Sequence, residues 1–430
     1  EILRFGIGPA ALGGLILAAY VPTLATIVIA RHWRFAWALR SMSLVSVFVI
    51  LAVVADRVDG SLRLPETSVL MAPIAVGLAL GCLTLVASFE RDVRGGGFGI
   101  RQPLALISLA ALPIAVLPVV AAAVGGDWQQ SRVSFVAQVD EILPDQIQAG
   151  GYRVLYIGDP ALVPGADREI SDGIAYNVVD GGSLDLSDTW LSPSDAEHRS
   201  VDAAIDALAR RTTIRVGRLV APYGIRYVVV PIVDRVRSEA ETPAALPTGL
   251  VESLGEQLDL RALYSPASMV VYENLQWIPT TSVLSASAAS NRAEGGASSL
   301  IAAELGGSTP VLSGFNAWSS TSQKLPGGVV GLGVPFDRRW QLDVDGRRVP
   351  AEGSFGSVMA FDVGEGGRAE LRFDAPWSRI GWVVLQSALW IVVILAVLQP
   401  KRRSRLVDIA APVILLGDDA PTSDASGGVA

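Results

Sequence analysis

Two aspartates near the start of the chain have the spacing of a shared metal site. Asp56 and Asp59 lie three residues apart between two apolar segments. Two carboxylates this close could share one divalent ion, and either could act as a base toward a hydroxyl group. Arg57 and Arg63 lie in the same segment, so the alternative is a set of loop charges at a membrane surface. A divalent cation for the full-length protein stays open, and we expect no cofactor within this chain.

A second acidic group surrounds a tryptophan. Asp185, Asp188 and Asp195 lie within five residues of Trp190. Carboxylates accept hydrogen bonds from sugar hydroxyls, and an aromatic ring offers a flat apolar face beside them. Asp188 and Trp190 are therefore candidate glycan contacts. The alternative is a solvated acidic loop without a ligand.

A third candidate lies in the segment Gly314–Ser320. Trp318 offers an aromatic face there, and Asn316 could supply the polar partner for a glycan. The alternative is that Trp318 packs in a core. Trp340, at the start of a predicted strand, is expected to be a core residue.

Charge and composition argue against several kinds of site. The formal net charge is -8, which argues against nucleic acid as a partner because phosphate backbones require a basic surface. Cys82 is the only cysteine, so no intrachain disulfide can form. The two histidines, His32 and His198, lie far apart in sequence. Gly95–Gly97 lacks the Lys-Ser/Thr pair and the preceding strand of a phosphate-binding loop.

The two ends of the chain are too apolar for a soluble protein. Half of all residues are apolar and 18% are charged, whereas soluble domains have about a quarter charged residues. A helix needs about 20 mostly apolar residues to cross a bilayer. We therefore predict a polytopic α-helical membrane protein, with the lipid bilayer as a partner and a basic, disordered tail at 401–430. The predicted spans are at about 6–30, 41–58, 67–89, 103–125 and 377–400.

Arginine-rich loops predict which side of the membrane each loop faces. The segments 31–40, 90–102 and 401–405 are basic and should lie in the cytoplasm. The Asp56–Glu66 loop balances its arginines with acidic residues and should face outside. Alternating spans then place residues 126–376 outside as well. The expected location is the plasma membrane, with several spans, a large outer domain and the 401–405 run against anionic lipid.

The outer segment shows two successive patterns. Across 1–125 the chain is mostly spans, whereas across 126–278 continuous apolar strands such as Arg153–Gly158 alternate with helical patterns such as 200–211. This alternation predicts an extracytoplasmic α/β unit over 126–278. Across 279–376, short strands separated by Gly, Ser and Asp predict a β-sandwich.

Two hairpins are predicted within the β-sandwich. Trp340–Val344 is followed by Asp345-Gly346, residue types that tolerate the positive φ of a tight turn. Ala360–Val363 is predicted to pair with Ala369–Phe373 across Gly364–Gly367. Both pairings would be antiparallel and local in sequence.

Several motifs resemble those of bacterial membrane glycosyltransferases. The end of the chain is similar to YfhO-type membrane proteins, which are themselves similar to lipid-linked-sugar transferases, in Phe336–Trp340, Asp345-Gly346, Phe355-Gly356, Phe361–Val363 and Ala375-Pro376. The upstream part more closely resembles the C-terminal membrane half of large family 2 glycosyltransferases of high-GC Gram-positive bacteria, in Arg153–Pro160, Asp172-Gly173, Gly217–Pro222 and Gly224–Pro231. A scarcity of lysine, with only Lys324 and Lys401, fits a high-GC coding sequence.

The resemblance implies the C-terminal membrane and extracytoplasmic part of a cell-envelope glycosyltransferase. The chain starts at Glu1, and we expect it to begin within a longer protein whose catalytic groups lie upstream. The outer domain would then position an acceptor glycan, a lipid-linked sugar or a partner protein. Two alternatives stay open: a non-enzymatic envelope scaffold or binding module, and a YfhO-like lipid-linked-sugar transferase whose own outer loops carry out the reaction.

Overall fold

The computed structural model of the protein describes two compact units, Glu1–Asp374 and Ala375–Ala430. Within them, the described residues are 12–57, 64–65, 67–90, 99–125, 133–144, 150–165, 168–171, 173–181, 184–185, 188, 190–191, 196–235, 246–247, 249–312, 314 and 320–398. Apolar helices, a six-stranded mixed sheet and antiparallel sheets of five, four and two strands belong to the first unit. The second unit contributes one apolar helix.

The first part of the chain is a bundle of apolar helices. A 3₁₀ segment, Gly13–Ala19, leads into α1, and the helices are α1 (Tyr20–Ile29), α2 (Trp33–Arg57), α3 (Thr67–Ser88) and α4 (Arg101–Gly125). By length and composition, α2, α3 and α4 could each cross a membrane, whereas the apolar stretch Gly14–Ile29 is shorter. The predicted first span at 6–30 begins outside the described residues.

The start of α2 differs from the prediction. The sequence predicts a loop over 31–40, but α2 begins at Trp33, so the loop prediction is wrong over most of its length. Arg34 and Arg40 lie inside the helix, with their guanidinium carbons 5.4 and 5.0 Å from the ring centroids of Trp33 and Trp37. Arginine is a good helix former and stacks on aromatic faces. Its charge lowers the hydropathy of a segment without ending the helix.

Two glycines allow α3 to pack closely on α1 and α2. Gly77 and Gly81 lie one turn apart on α3, and the Ser41 hydroxyl of α2 donates to the Gly77 carbonyl at 2.7 Å. A Cβ atom at Gly81 would clash with the Thr23 side chain of α1, and one at Gly77 would clash with Val45 of α2. Small residues four apart let helix backbones approach each other in membrane proteins. Here they bring three helices into contact.

A six-stranded mixed sheet follows the bundle. Its strand order is β3-β4-β2-β6-β8-β7, where the strands are β2 (Arg153–Gly158), β3 (Arg168–Ser171), β4 (Ile174–Asp180), β6 (Ile225–Pro231), β7 (Leu260–Leu263) and β8 (Met269–Asn274). The central pair, β2 and β6, is parallel, and the other neighbouring pairs are antiparallel. The strands predicted at Arg153 and Ile225 are thereby confirmed as the two central strands.

Helices cover both faces of this sheet. The side chains of β2 point alternately to one face and to the other, and each face packs against helices. The helices are α5 (Phe135–Ile142), α6 (Ala196–Ala209), α7 (Val216–Val220) and α8 (Leu250–Gly255). Leu155 and Ile157 belong to a hydrophobic cluster with residues of α6, α7 and α8. Val154 and Tyr156 belong to a second cluster with residues of α5. Alternate residues of a strand point to opposite faces, so the sheet lies between two helical layers.

Two antiparallel sheets, of five and four strands, follow the mixed sheet in the chain. Their orders are β10-β9-β12-β16-β15 and β11-β17-β13-β14. The strands are β9 (Thr281–Val283), β10 (Thr309–Pro310), β11 (Thr321–Leu325), β12 (Gly328–Pro335), β13 (Trp340–Val344), β14 (Arg347–Val349), β15 (Ala351–Ser354), β16 (Val358–Gly364) and β17 (Gly367–Phe373). Leu332 and Phe361 of one sheet share a cluster with Trp340 and Leu371 of the other. Trp340 is therefore a core residue, as predicted. The sequence did not predict the two short helices between β9 and β10, α9 (Ala286–Asn291) and α10 (Ala297–Ala302).

One of the two predicted hairpins is confirmed and the other is wrong. β13 and β14 pair across Asp345 and Gly346, whose φ angles are 48° and 77°. β16 and β17 belong to different sheets, so Gly364–Gly367 connects two sheets instead of closing a hairpin. β17 alternates buried and exposed residues, whereas β16 is buried from Val358 to Phe361, and both patterns are typical of strands. Neither pattern reveals which neighbour a strand pairs with.

The hydrophobic core continues across the change of pattern near residue 278. One cluster contains Tyr223 and Val228, from the mixed-sheet side, together with Val358 and Ala360 of β16. The hydroxyl oxygens of Tyr223 and Ser357 are 2.6 Å apart and share a hydrogen bond. The mixed sheet and the β-rich part are therefore packed against each other.

The second unit contains α11, which runs over Trp377–Leu398. Its stretch Trp377–Leu395 is long and apolar enough to cross a membrane. The side chains of Trp377, Trp382 and Trp390 are 85%, 70% and 60% exposed. A helix that is apolar all round needs a surrounding other than water.

Replacing Gly81 with leucine is expected to destabilise the helix bundle by about 1–3 kcal/mol or more, because the new side chain overpacks the contact with α1. Ala79→Leu is the matched control, since Ala79 is exposed on the same helix. Denaturant titration of each variant in detergent micelles measures the difference. Equal stability of the two variants would contradict the close packing at Gly81.

Candidate functional site

The structure describes only part of the sequence-predicted site residues. Trp318, Asn316 and Asp59 lie outside the described residues. Asp56 belongs to the last turn of α2, and its side chain is not among those described. These four candidates stay predictions, and the glycan and metal sites that they define are untested.

The other two candidates lie close together in the chain. Trp190 begins strand β5 (Trp190–Leu191), for which the structure describes the backbone alone. Asp188 precedes it by two residues, and its side chain is half-buried. Two residues of extended chain span at most about 7 Å, so Asp188 lies close to β5.

Strand β5 pairs with the connection between two apolar helices. β1 (Leu64–Pro65), which lies between α2 and α3, is antiparallel to β5, with Leu64 opposite Leu191 and Pro65 opposite Trp190. The sequence gives no sign of this pairing, because neither segment has the length or alternation of a strand. The pairing places the α2–α3 connection on the same side of the bundle as the sheets. The side of the membrane that this contact faces stays a prediction from the arginine-rich loops.

The pairing also limits the distance between Asp188 and the helix bundle. Pro65 lies two residues before Thr67, the first residue of α3. Extended-chain lengths and the spacing between paired strands together keep Asp188 within about 20 Å of Thr67. An acidic side chain is therefore held near the end of an apolar helix.

The loop that carries Asp188 packs against strand β4. Asp188 Oδ2 accepts a hydrogen bond from the Asp185 backbone N–H at 2.8 Å. Asn177 of β4 donates through Nδ2 to the Pro164 carbonyl at 3.0 Å and to the Asp188 carbonyl at 3.5 Å. A Cβ atom at Gly165 would clash with both Asn177 and Asp188. The backbone around Asp188 is thus fixed between two other segments.

The carboxyl group of Asp188 is unusually basic for an aspartate. Burial raises its pKa to about 6, and repulsion from Asp180 and Asp185 adds to the increase. The hydrogen bond from the Asp185 N–H and the positive charge of Arg153 each lower the pKa, but by less than burial raises it. A desolvated carboxylate gains more than an exposed one from a new hydrogen-bond donor or a cation. Near neutral pH, Asp188 is therefore suited to accept hydrogen bonds from a ligand.

A buried arginine anchors the strand that leads into this loop. Arg153 of β2 donates through Nε to Asp180 Oδ1 at 2.7 Å, and through Nη1 to Glu197 Oε1 at 2.5 Å and the Tyr223 carbonyl at 3.2 Å. The Arg153 and Glu197 side chains are each 13% exposed. Breaking a buried pair of this kind costs about 3–5 kcal/mol. Arg153 therefore ties β2 to β4 through Asp180 and to α6 through Glu197, beside the loop that carries Asp188. Sequence spacing did not predict these contacts.

Three aromatic rings surround the side chain of a second arginine. The guanidinium carbon of Arg226 lies 4.6, 5.1 and 5.8 Å from the ring centroids of Trp277, Tyr227 and Tyr152. Arg226 also pairs with Glu273 at 3.2 Å. A cation over aromatic faces contributes about 0.5–2 kcal/mol. Arg226 therefore covers part of the ring surface of these three residues.

Neither a cluster of metal-binding side chains nor a similarity to known proteins adds to the description of this site. Among the residues that the structure describes, no three His, Cys, Asp or Glu side chains are grouped to hold a metal ion. Comparison of the chain with protein-family models, curated proteins and solved structures finds no significant match. Within the described part of the chain, the surroundings of Asp188 therefore form the candidate site.

Asp188→Asn is expected to change how stability depends on pH. Because the folded state raises the pKa of Asp188 to about 6, the wild type should lose stability relative to the variant as the pH rises from about 4, the pKa of an unfolded aspartate, to about 6. Asparagine keeps the acceptor for the Asp185 N–H but has no charge to desolvate. Thermal unfolding of both proteins in detergent across this range tests the shift.

Glu365→Gln provides the control, since Glu365 is an exposed carboxylate in the connection between β16 and β17. Its difference from the wild type should vary less with pH than that of Asp188→Asn. If the wild type and Asp188→Asn give parallel curves from pH 4 to 6, burial does not raise the pKa of Asp188.

Proposed function

We propose that the chain is the membrane-spanning part and outer domain of a cell-envelope glycosyltransferase, and that Asp188 positions a lipid-linked sugar at the membrane surface. The proposal assigns to this domain the positioning of an acceptor and not the transfer of the sugar. It combines the resemblance of the sequence to family 2 glycosyltransferases with the location of Asp188. In this proposal the two antiparallel sheets are a β-sandwich in the outer domain.

The apolar helices support the membrane part of the proposal. α2 and α4 each have 25 residues, which gives a length of about 37 Å, enough to cross a hydrocarbon core of about 30 Å. Large apolar residues on these helices are exposed, such as Ile50, Leu106 and Leu117. Arginines near the starts of α2 and α4 favour the cytoplasm for that end. The end that carries β1 then faces outside, together with Asp188.

The single observation that carries the proposal is the position of Asp188 beside strand β5. A lipid-linked sugar has its apolar tail in the bilayer and its sugar in the adjacent water. A half-buried carboxylate near the outer end of α3 lies where such a sugar would be. One carboxylate oxygen, Oδ2, already accepts the Asp185 N–H. Among the described residues no hydrogen bond to the other oxygen, Oδ1, is found, so Oδ1 can accept one from a sugar hydroxyl or bind a bridging divalent cation.

Binding of a polyprenyl-phosphate-linked monosaccharide to the full chain in nanodiscs tests this function. Asp188→Asn is expected to weaken binding about tenfold, because a hydrogen bond to a charged acceptor contributes about 1.5–3 kcal/mol. Wild-type binding should strengthen as the pH rises through about 6, the pKa of Asp188. Glu365→Gln should bind as the wild type does.

Polyprenyl phosphate without the sugar serves as the ligand control, and it should bind equally to the wild type and to Asp188→Asn. Binding of the sugar-linked probe that is unaffected by Asp188→Asn would contradict the role of Asp188. A complete lack of binding by folded wild-type protein would favour the alternative of a non-enzymatic scaffold.

A further inference from the structure

The end of the helix bundle opposite β1 has buried polar atoms without partners. Ser88, the last residue of α3, is fully buried, and its hydroxyl has no hydrogen-bond partner among the described residues. Arg101, the first residue of α4, is half-buried, and no residue in the described part of the chain forms a hydrogen bond with its buried Nη1 atom. Leaving such a donor buried and unsatisfied costs about 1–3 kcal/mol, and more for a charged group.

These two residues lie at the same end of the bundle. Leu85 in the last turn of α3 and Ala105 in the second turn of α4 share a hydrophobic cluster with Ile29, the last residue of α1. Ser88 follows Leu85 by three residues, and Arg101 precedes Ala105 by four. One helical turn is 3.6 residues, so Ser88 and Arg101 are each about one turn from Leu85 and Ala105, respectively.

This end of the bundle has an excess of positive charge. Among the described residues 30–40, 88–90 and 99–101, the charged side chains are those of Arg31, Arg34, Arg40, Arg101 and Glu90. A charged group beside lipid is costly unless an opposite charge or hydrogen-bonding groups compensate it. The imbalance favours an anionic ligand at this end.

We propose that Ser88 and Arg101 bind the phosphate group of an anionic phospholipid. A guanidinium donates from several N–H groups to phosphate oxygens, and a hydroxyl can donate one more hydrogen bond. In the proposed orientation this site faces the cytoplasm. It depends on α3 and α4 crossing the membrane, but it is independent of the role assigned to Asp188, so failure of acceptor binding leaves it untouched.

Native mass spectrometry of the full chain, released from nanodiscs of phosphatidylglycerol and phosphatidylcholine, tests this site. At high salt, which screens exposed charges, Arg101→Gln should weaken phosphatidylglycerol binding at least about thirtyfold, as expected for loss of one partner from a buried charge pair. Ser88→Ala should weaken binding a few-fold, because it removes one neutral hydrogen bond.

Arg40→Gln is the matched control, since it removes an exposed arginine from the same end and leaves Ser88 and Arg101 intact. It should have little effect at high salt. Phosphatidylglycerol that excess inorganic phosphate does not displace identifies a lipid as the occupant. Displacement by inorganic phosphate identifies a phosphate site that soluble anions can also reach.

Equal phosphatidylglycerol binding by the wild type, Arg101→Gln and Arg40→Gln at high salt would overturn the proposal. If Arg101→Gln does not fold, Arg101→Lys keeps the charge but loses the paired N–H geometry. Arg101→Lys should then bind more weakly than the wild type, and unchanged binding by both Arg101→Lys and Ser88→Ala would overturn the site.

Discussion

The pairing of β1 with β5 is the contact that holds the Asp188 loop beside the helix bundle. It joins the connection between α2 and α3 to the acidic loop before Trp190, through two residues from each strand. Backbone hydrogen bonds contribute only about 1 kcal/mol each to stability, so the importance of the pairing is geometric. It keeps Asp188 near the end of an apolar helix, where a ligand anchored in lipid could reach it.

A continuous hydrophobic core supports the side of that contact to which β5 belongs. The cluster that contains Tyr223 and Val358 packs the mixed sheet against the β-rich part, and Arg153 ties β4 to α6 through Asp180 and Glu197. Asp188 is desolvated because its loop packs against this frame. The same frame therefore accounts for both the position of the carboxylate and its raised pKa.

Local sequence patterns predicted the local structure. The continuous apolar runs at Arg153 and Ile225 predicted the two central strands, and Asp345-Gly346 predicted a tight hairpin. Pairings between distant segments were not predictable, because a two-residue strand such as Leu64–Pro65 has no periodicity and the apolar patterns of β16 and β17 fit several partners. Asp188 was predicted as a candidate from its residue type and neighbours, whereas its burial and the Arg153–Glu197 pair depend on tertiary contacts.

The most direct test of the β1–β5 contact is disulfide formation between Leu64→Cys and Leu191→Cys, in a Cys82→Ser background that removes the only native cysteine. Directly opposed residues of antiparallel strands have Cα atoms about 4.5–5.5 Å apart, within the range of a disulfide. Oxidation in native membranes should cross-link this pair rapidly, whereas a control pair, Leu64→Cys with Leu260→Cys of β7, should not react. Absence of the cross-link in folded protein, or equal cross-linking of both pairs, would contradict the placement of the acidic loop beside the helix bundle.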